Sequence, residues 1–423
     1  MSVFYNLNKD RHTSQLDDIF VPKEFFTLGE LLCWGENSSG QLGDGSTNSS
    51  NTPQTTYYQF GDFKKVDSGF NFAAGLTMQG ELYVWGSNSN GVFGNGSSSN
   101  ESDPYWIPTL VPGHLWYDFA CGSEHIAAIK EDGQLYEWGI YAPSSQSFSP
   151  VAQSLANSSY EPYILNDYSA RKVWASSQRT FILTIGDGGS SDGYIYSRGF
   201  SPNREIGRIS NENNFGHLIQ ATQGSQPWLP MSLTVSEADR LRYPKDFSAG
   251  VSSTGIINQY GQLYWMGNND GPNGNGNSFI TGSGATAPSL IGNDTNWKRC
   301  SAGYFYQAAI KENGTLWTWG YNNEGQLGLG NTVDYDTPQQ VGSEINWKYV
   351  SCGLYSTLAI KTDGTLWGWG KNTNDLLGAY SQSGTPPTKI LIPTQIGTLK
   401  TWGSIATSQE SYYGIVYDKM IYH

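Results

Sequence analysis

The residues of this sequence that could carry out chemistry are few and lie far apart. Its five histidines fall in unrelated contexts, so none has a neighbour at the spacing of an acid–base pair or a metal site. Residues 187–193 are rich in oxygen ligands but lack the alternating acids and terminal Glu of a calcium loop, which indicates a polar turn. We therefore expect no enzyme activity, no cofactor and no metal site.

The four cysteines also lack the spacing of a reactive or metal-binding group. No Cys-x-x-Cys pair and no Cys/His cluster occurs, and each cysteine sits inside an apparent strand. The sequence predicts free, buried thiols in a reducing compartment at Cys33, Cys121, Cys300 and Cys352.

Charge and hydropathy exclude several classes of partner. The net charge is −13, and the 24 Lys and Arg residues are scattered along the chain without a basic run, so we expect no nucleic-acid partner. No run of apolar residues is long enough to cross a bilayer, so we expect no membrane insertion. The N-terminus has no basic patch followed by an apolar core, and we expect no secretion by a signal peptide.

The secondary-structure elements that position the histidine and cysteine side chains come from an internal repeat of about fifty residues. Residues 311–320 are echoed almost residue for residue by residues 361–370, and weaker copies occur upstream. Each copy closes on a glycine, and the seven closing glycines are Gly35, Gly86, Gly139, Gly199, Gly267, Gly320 and Gly370.

Each repeat contains the signals of four strands. An Asp-Gly, Asn-Gly or Gln-Gly pair separates two alternating apolar runs, which is typical of a β-hairpin because such pairs tolerate the positive φ of a tight turn. A third run precedes the hairpin, as at Trp297 and Trp347, and a fourth follows a proline, as at Pro338 and Pro393. Four strands per repeat predict an all-β fold with a propeller blade in each repeat.

The pattern Trp-Gly-x-Asn-x-x-Gly-Gln-Leu-Gly occurs at residues 34–43 and 319–328, with degraded copies at 86–96 and 370–378. In this pattern, over roughly residues 29 to 420, the sequence resembles proteins with regulator of chromosome condensation repeats. The resemblance implies a seven-bladed β-propeller and, at His125, a structural hydrogen bond. The family's founding member is a guanine nucleotide exchange factor, but the chain has no basic tail and no legible exchange wedge, so we expect no exchange activity.

We expect residues 27–423 to form the propeller and residues 1–26 to form an extended N-terminal arm. The strand around Leu31 to Trp34 is expected to complete the blade that contains Tyr412 to Tyr417, because pairing the two chain ends removes an exposed sheet edge.

Two groups of apolar residues outside the repeat are candidate partner-binding sites. The arm concentrates apolar side chains without a core of its own, which suggests docking on a neighbouring chain, although it could also fold back onto the ring. Aromatic residues in loop-like sequence are candidate contact anchors. The arm residues are Phe20, Val21, Phe25 and Phe26, and the loop residues are Tyr57, Tyr58, Tyr105, Trp106 and Trp228.

An N-terminus without the pattern of a signal peptide, an apolar arm and acidic repeats rich in Asn, Ser and Gly together resemble repeat proteins of large tailed bacteriophages. This resemblance implies a virion component of the tail, fibre, baseplate or capsid decoration, made in the host cytoplasm and bound to other virion structural proteins through the arm. Two alternatives stay open. One is a propeller that binds a carbohydrate or recognises a host surface glycan or receptor, and the other is a cellular, cytoplasmic adaptor.

Overall fold

The computed structural model describes residues 26–57, 62–95, 106–112, 115–139, 153–154, 170–177, 179–184, 193, 195–199, 216–217, 241–251, 253–267, 285–379 and 385–419. The strands in these residues are, in chain order, β1 (Phe26–Gly35), β2 (Ser50–Thr55), β3 (Phe63–Ser68), β4 (Phe72–Thr77), β5 (Leu82–Gly86), β6 (Thr109–Leu110), β7 (Trp116–Cys121), β8 (His125–Lys130), β9 (Leu135–Gly139), β10 (Gln153–Ser154), β11 (Ala170–Ser176), β12 (Arg179–Thr184), β13 (Ile195–Gly199), β14 (Gly216–His217), β15 (Asp246–Ala249), β16 (Ser253–Ile257), β17 (Leu263–Gly267), β18 (Ala285–Leu290), β19 (Trp297–Ala302), β20 (Tyr306–Lys311), β21 (Leu316–Gly320), β22 (Tyr335–Gln340), β23 (Trp347–Cys352), β24 (Ser356–Lys361), β25 (Leu366–Lys371), β26 (Lys389–Gln395), β27 (Trp402–Thr407) and β28 (Ser411–Lys419). A 3₁₀ turn covers Thr373–Asp375.

These strands form seven four-stranded antiparallel sheets within the described residues. One strand of each sheet contacts the corresponding strand of the next sheet, and the contacts close into a ring. We call these strands the inner strands; they are β3, β7, β11, β15, β19, β23 and β27. The prediction of an all-β propeller with four-stranded blades is confirmed. No helix in the described part of the chain is long and apolar enough to cross a membrane.

The sheet that joins the two chain ends has the strand order β2-β1-β28-β27. Strand β1 pairs with β28 from Phe26 opposite Lys419 to Gly35 opposite Ser411. Within this register Trp34 lies opposite Tyr412, so the predicted pairing of the N-terminal strand with the last blade is confirmed. Both edges of β28 are therefore hydrogen-bonded, one to β1 and the other to β27.

The hydrophobic core lies between neighbouring sheets, and the repeated Trp-Gly pair builds much of it. The tryptophan side chains at Trp34, Trp85, Trp138, Trp319 and Trp369 are fully buried. Four of them donate an indole N–H to a backbone carbonyl in the loop of the preceding repeat: Trp34 to Leu377 (3.1 Å), Trp85 to Gln41 (2.8 Å), Trp138 to Val92 (2.6 Å) and Trp369 to Gln326 (2.9 Å). Each of these four repeats is thus tied to the one before it.

The asparagine of the same repeat pattern shapes that loop. Asn322 is fully buried, and its side-chain oxygen accepts the backbone N–H of Leu327 at 2.9 Å. Its amide nitrogen donates to the backbone carbonyls of Asn331 and Val333. Asn37 makes the equivalent bond to Leu42 at 2.8 Å. The sequence pattern shared by these loops is therefore explained by backbone groups that need a buried partner.

The four cysteines are free and buried, as predicted. Burial raises the pKa of each thiol well above its usual value, for Cys352 to about 12. Since the thiolate is the reactive form, we expect none of the four to react with a disulfide reagent in the folded protein at about pH 8. All four are expected to react after unfolding in guanidinium, which absorbance of the released thiolate would count. Fast reaction of any thiol before unfolding would contradict this expectation.

Candidate functional site

The arm residues Phe20, Val21 and Phe25 lie outside the described residues. Phe26 is the first residue of β1, where its backbone pairs with that of Lys419. At this last residue of the expected arm the chain is therefore already part of a sheet.

Two of the predicted loop anchors lie around one loop. Tyr57 is 65% exposed, and its backbone N–H donates to the carbonyl of Gly43 at 2.8 Å. Trp106 is half-buried, packs over Gly40, and accepts the backbone N–H of Gly45 at 2.9 Å. The indole of Trp106 is thus partly used in packing, whereas the ring of Tyr57 is open to solvent. The other predicted anchors, Tyr58, Tyr105 and Trp228, lie outside the described residues.

A second aromatic group, which we call the aromatic cleft, lies between the sheets of β19–β22 and β23–β26. Its rings are Tyr304, Phe305, Tyr321 and Tyr355, all partly exposed, around a cavity of about 410 Å³. The centroid of the Tyr304 ring lies 4.1 Å from that of Phe305 and 5.9 Å from that of Tyr355. The Phe305 and Tyr321 centroids are 5.5 Å apart. These separations are typical of interacting aromatic pairs.

The backbone of the cleft is held by hydrogen bonds that tie its turns together. Phe305 has a φ of +59°, a conformation uncommon for an aromatic residue and often found at functional sites. Its carbonyl accepts the N–H of Tyr321 at 2.9 Å. Gly320 has a φ of +109°, and a Cβ there would lie 2.5 Å from the Phe305 carbonyl oxygen, so this close approach requires glycine. The rings are therefore presented from a backbone with little freedom to rearrange.

Polar and charged groups form the rim of the cleft. Lys371 makes an ion pair with Glu410, and its ammonium lies 5.5 Å from the centroid of the Tyr355 ring. On the other side, Lys389 lies 3.4 Å from Glu324 and donates to the backbone carbonyl of Asn323. Both cations are paired with acids, so the rim offers hydrogen bonds of both kinds without a strong net charge.

The hydroxyl of Tyr304 stays protonated near neutral pH. Burial raises the pKa of Tyr304, and the neighbouring Tyr355 and Tyr321 raise it further. A protonated phenol both donates and accepts a hydrogen bond. The cleft thus combines half-exposed aromatic faces with neutral polar tips, as the central residues of protein interfaces do.

The described residues offer no cluster of metal ligands at the cleft. No group of three or more His, Cys, Asp or Glu side chains in the described ranges could hold a metal ion. His125 is fully buried, and its Nε2 lies 3.1 Å from Thr180 Oγ1, so the structural hydrogen bond expected for this histidine is confirmed.

The sequence analysis missed the aromatic cleft because its members come from two repeats. Tyr304 and Phe305 follow the Gly that ends one inner-strand run, Tyr355 follows the equivalent Gly one repeat later, and Tyr321 follows a closing glycine. The usable signal was an aromatic residue one or two positions after a repeat glycine, where the chain turns at the end of a strand.

Comparison with known proteins gives the repeat an identity. A family model of the regulator of chromosome condensation (RCC1) repeat matches residues 29–75, 79–129 and 313–360. A second model of this repeat matches residues 63–92 and 347–375. The chain therefore contains RCC1 repeats, as its sequence pattern indicated.

Curated relatives share parts of the chain. The ultraviolet-B receptor UVR8 of Arabidopsis thaliana is 26% identical over 315 residues, which cover 73% of this chain and 65% of the receptor. The human E3 ubiquitin-protein ligase HERC2 is 29% identical over 209 residues, which cover 47% of this chain and 4% of the ligase. The chain thus spans less than two thirds of the length of these two proteins.

Solved structures share the fold. Prp20p from Saccharomyces cerevisiae superposes with a TM-score of 0.75 at 14% identity, covering 94% of each chain. Human WBSCR16 superposes with a TM-score of 0.72 at 14% identity, covering 93% of this chain and all of the other. Both likenesses establish a common propeller architecture.

Proposed function

We propose that this chain, whose repeats are of the regulator of chromosome condensation type, is a non-enzymatic propeller of seven blades that binds another protein chain through the aromatic cleft. The observation that carries the proposal is the convergence of four partly exposed rings on one cavity with a hydrogen-bonded backbone. Because the turns are already ordered, binding there costs little conformational entropy. Interfaces concentrate their binding energy in such aromatic anchors.

Protein binding is also the activity named for a protein of the same fold. The structure of yeast Prp20p is described together with its binding to Gsp1p and histones, and another with Kap60 bound to it. This supports a scaffold that presents loops to protein partners, while the partner of this chain follows from its own surface.

To test the cleft, the double variant Tyr321→Ala/Tyr355→Ala is compared with Tyr260→Ala, which removes a tyrosine that is 59% exposed in a hairpin turn. Partners are first identified by chemical cross-linking and mass spectrometry on wild-type protein in its native source, and affinities are then measured by calorimetry with the purified partner. We expect the double variant to weaken binding at least about tenfold, since interface aromatics contribute on the order of 2 kcal/mol each. Tyr260→Ala is expected to bind as wild type does.

The opposite pattern would place the site elsewhere. Full affinity of the double variant, with loss of binding in Tyr57→Ala, would assign the interface to the loop beside Gly45, which holds one of the predicted candidate anchors. Binding of a purified glycan that depends on Tyr321 and Tyr355, without any protein partner, would replace the proposal by carbohydrate binding, since sugar rings also stack on aromatic faces.

The finer proposal is that the partner assembly is a bacteriophage particle, joined through the arm residues Phe20, Val21, Phe25 and Phe26. What supports it is the resemblance of the arm and of the acidic Asn/Ser/Gly-rich repeats to phage repeat proteins. Mass spectrometry of purified particles beside lysate from the same culture tests it. Stoichiometric enrichment in particles, lost on removal of residues 1–25, is the expected result. Equal abundance in both fractions would instead favour a cellular adaptor.

A further inference from the structure

The loops at the end of the ring that carries the aromatic cleft are acidic. They follow the inner strands and the third strand of each sheet counted from the axis, as the loops of Tyr304 and Tyr321 do. Their described parts contain seven Asp and Glu residues and no Lys or Arg. The acids are Glu36, Asp44, Glu124, Glu324, Asp334, Asp375 and Glu410.

Hydrogen bonds between neighbouring sheets show that these loops share one end of the ring. The turns after successive inner strands bond to one another through their backbones: Phe70 N–H to the Ser123 carbonyl at 3.0 Å, Ser123 N–H to the Ser177 carbonyl at 2.8 Å, and Tyr304 N–H to the Gly353 carbonyl at 3.3 Å. Strands β19 and β21 both pair antiparallel with β20, so their loops lie at the same end. A positively charged partner segment is therefore attracted to this end.

Two lysines reach the cleft from the strands β25 and β26, and both are engaged. Lys371 pairs with Glu410, and Lys389 donates to the backbone carbonyl of Asn323 at 2.6 Å. The loop acids outnumber these two lysines seven to two. The ammonium of Lys371 also lies 5.5 Å from the centroid of the Tyr355 ring. A cation is thus already held near one aromatic ring of the cleft, which ring faces favour by their negative potential.

The carboxylate of Glu324 is available to a ligand in the cleft. Glu324 lines the cavity, and its side chain is 28% exposed. Its contact with Lys389 is 3.4 Å, longer than the about 2.7–2.9 Å of a charge-assisted hydrogen bond. Its backbone N–H donates to Gln326 Oε1 at 2.9 Å, which fixes the turn that carries it. The cleft therefore holds an acid beside its rings that can accept further hydrogen bonds.

The rings of the cleft suit a planar cation. The Tyr304 and Tyr355 rings are inclined at 87°, so the cavity between them meets a ring face and a ring edge. A guanidinium group is planar, stacks on aromatic faces, and donates several hydrogen bonds in one plane. The ammonium of a lysine is a compact charge that keeps its water more tightly. Arginine thus uses the rings and the carboxylate together.

We propose that the partner segment bound in the aromatic cleft inserts an arginine, whose guanidinium stacks on the tyrosine rings and pairs with Glu324. This inference rests on the proposed function, which assigns the cleft to protein binding. The acidic loops around the cleft attract the positively charged segment, and Glu324 determines the specificity for arginine. A segment without arginine leaves the acid and the ring faces to water.

Pools of synthetic heptapeptides with a fixed central residue test the proposal. The central residue is Arg, Lys or Gln, the flanking positions vary among uncharged residues, and mass spectrometry measures retention on the immobilised full chain. We expect the arginine pool to be retained at least about tenfold more than the lysine and glutamine pools, since hydrogen bonds between charged groups contribute strongly. Equal retention of the three pools would overturn the proposal.

The variant Glu324→Gln keeps the shape of the side chain and removes its charge. We expect it to lose most of the preference for the arginine pool, while its thermal midpoint stays near that of wild type. Glu312→Gln is the matched control, because Glu312 also makes a single long ion pair, 3.6 Å from Lys245, and lies in a hairpin turn at the opposite end of the ring. An undiminished preference in Glu324→Gln, or an equal loss in Glu312→Gln, would contradict the role of Glu324.

The purified protein partner separates this inference from the proposed function. Weaker binding of that partner to Tyr321→Ala/Tyr355→Ala, with full affinity for Glu324→Gln, would keep protein binding at the cleft and reject the arginine. Full affinity for both variants would reject both proposals. The expected result is a loss of affinity of about tenfold or more in each.

Discussion

Removal of residues 1–35 is expected to prevent the ring from folding, whereas removal of residues 1–25 should leave the thermal midpoint unchanged. The first deletion takes away all of β1, which pairs on one side with β2 and on the other with β28. It also removes Trp34, a fully buried side chain that packs against Trp402 and Tyr412 at centroid distances of 5.8 and 5.7 Å.

The reason for the large effect is that one strand closes the whole ring. Without β1, strand β28 exposes an edge, β2 loses its neighbour, and the loop at Leu377 loses the indole N–H of Trp34. Truncation of a buried tryptophan alone costs about 3–5 kcal/mol, which is a large fraction of the stability of an ordinary domain.

Circular dichroism melts and size-exclusion chromatography of the two truncated proteins test this expectation. The protein lacking residues 1–35 should aggregate or melt without a cooperative transition. A cooperative melt at the wild-type midpoint would show that the ring is stable without its closing strand. The protein lacking residues 1–25 is the control for truncation itself.

The parts of the fold that could be predicted are those encoded by short sequence patterns within each repeat. The Trp-Gly pair and the loop asparagine recur at fixed places because they satisfy backbone groups within one or two neighbouring repeats, as Trp369 and Asn322 do. The pairing of the chain ends could be predicted from the spacing of the repeats, since six full intervals lie between the seven closing glycines and leave the stretch after Gly370 to join the stretch before Trp34.

The features that sequence analysis missed are those formed by residues far apart in the chain. The Lys and Arg residues of the inner strands are about fifty residues apart and read as scattered, yet the ring brings Lys65, Lys172 and Arg299 into one another's field. The aromatic cleft escaped notice for the same reason, because Tyr304 and Tyr355 belong to successive repeats. Only the closed ring shows which positions of different repeats converge.

Substitution of Trp369 by alanine is expected to lower the free energy of unfolding by about 3–5 kcal/mol, and substitution of its neighbour Trp367 by much less. Trp369 is fully buried and packs against Trp347 at a centroid distance of 6.0 Å. Trp367 lies two residues earlier in β25, is partly exposed, and has Lys361 3.4 Å from its ring centroid. The pair therefore compares one side chain type at two burial levels within one strand.

Trp369→Phe separates packing from hydrogen bonding at the same position. The Gln326 carbonyl that accepts the Trp369 indole N–H also accepts the hydroxyl of Thr357 at 2.8 Å, so it keeps a partner when the indole is lost. We therefore expect Trp369→Phe to be less destabilising than Trp369→Ala, because the carbonyl stays satisfied and most of the ring volume remains. Urea denaturation of the three variants measures the differences. Equal losses for Trp369→Phe and Trp369→Ala would show that the indole hydrogen bond, and not the packing between sheets, is what holds successive repeats together.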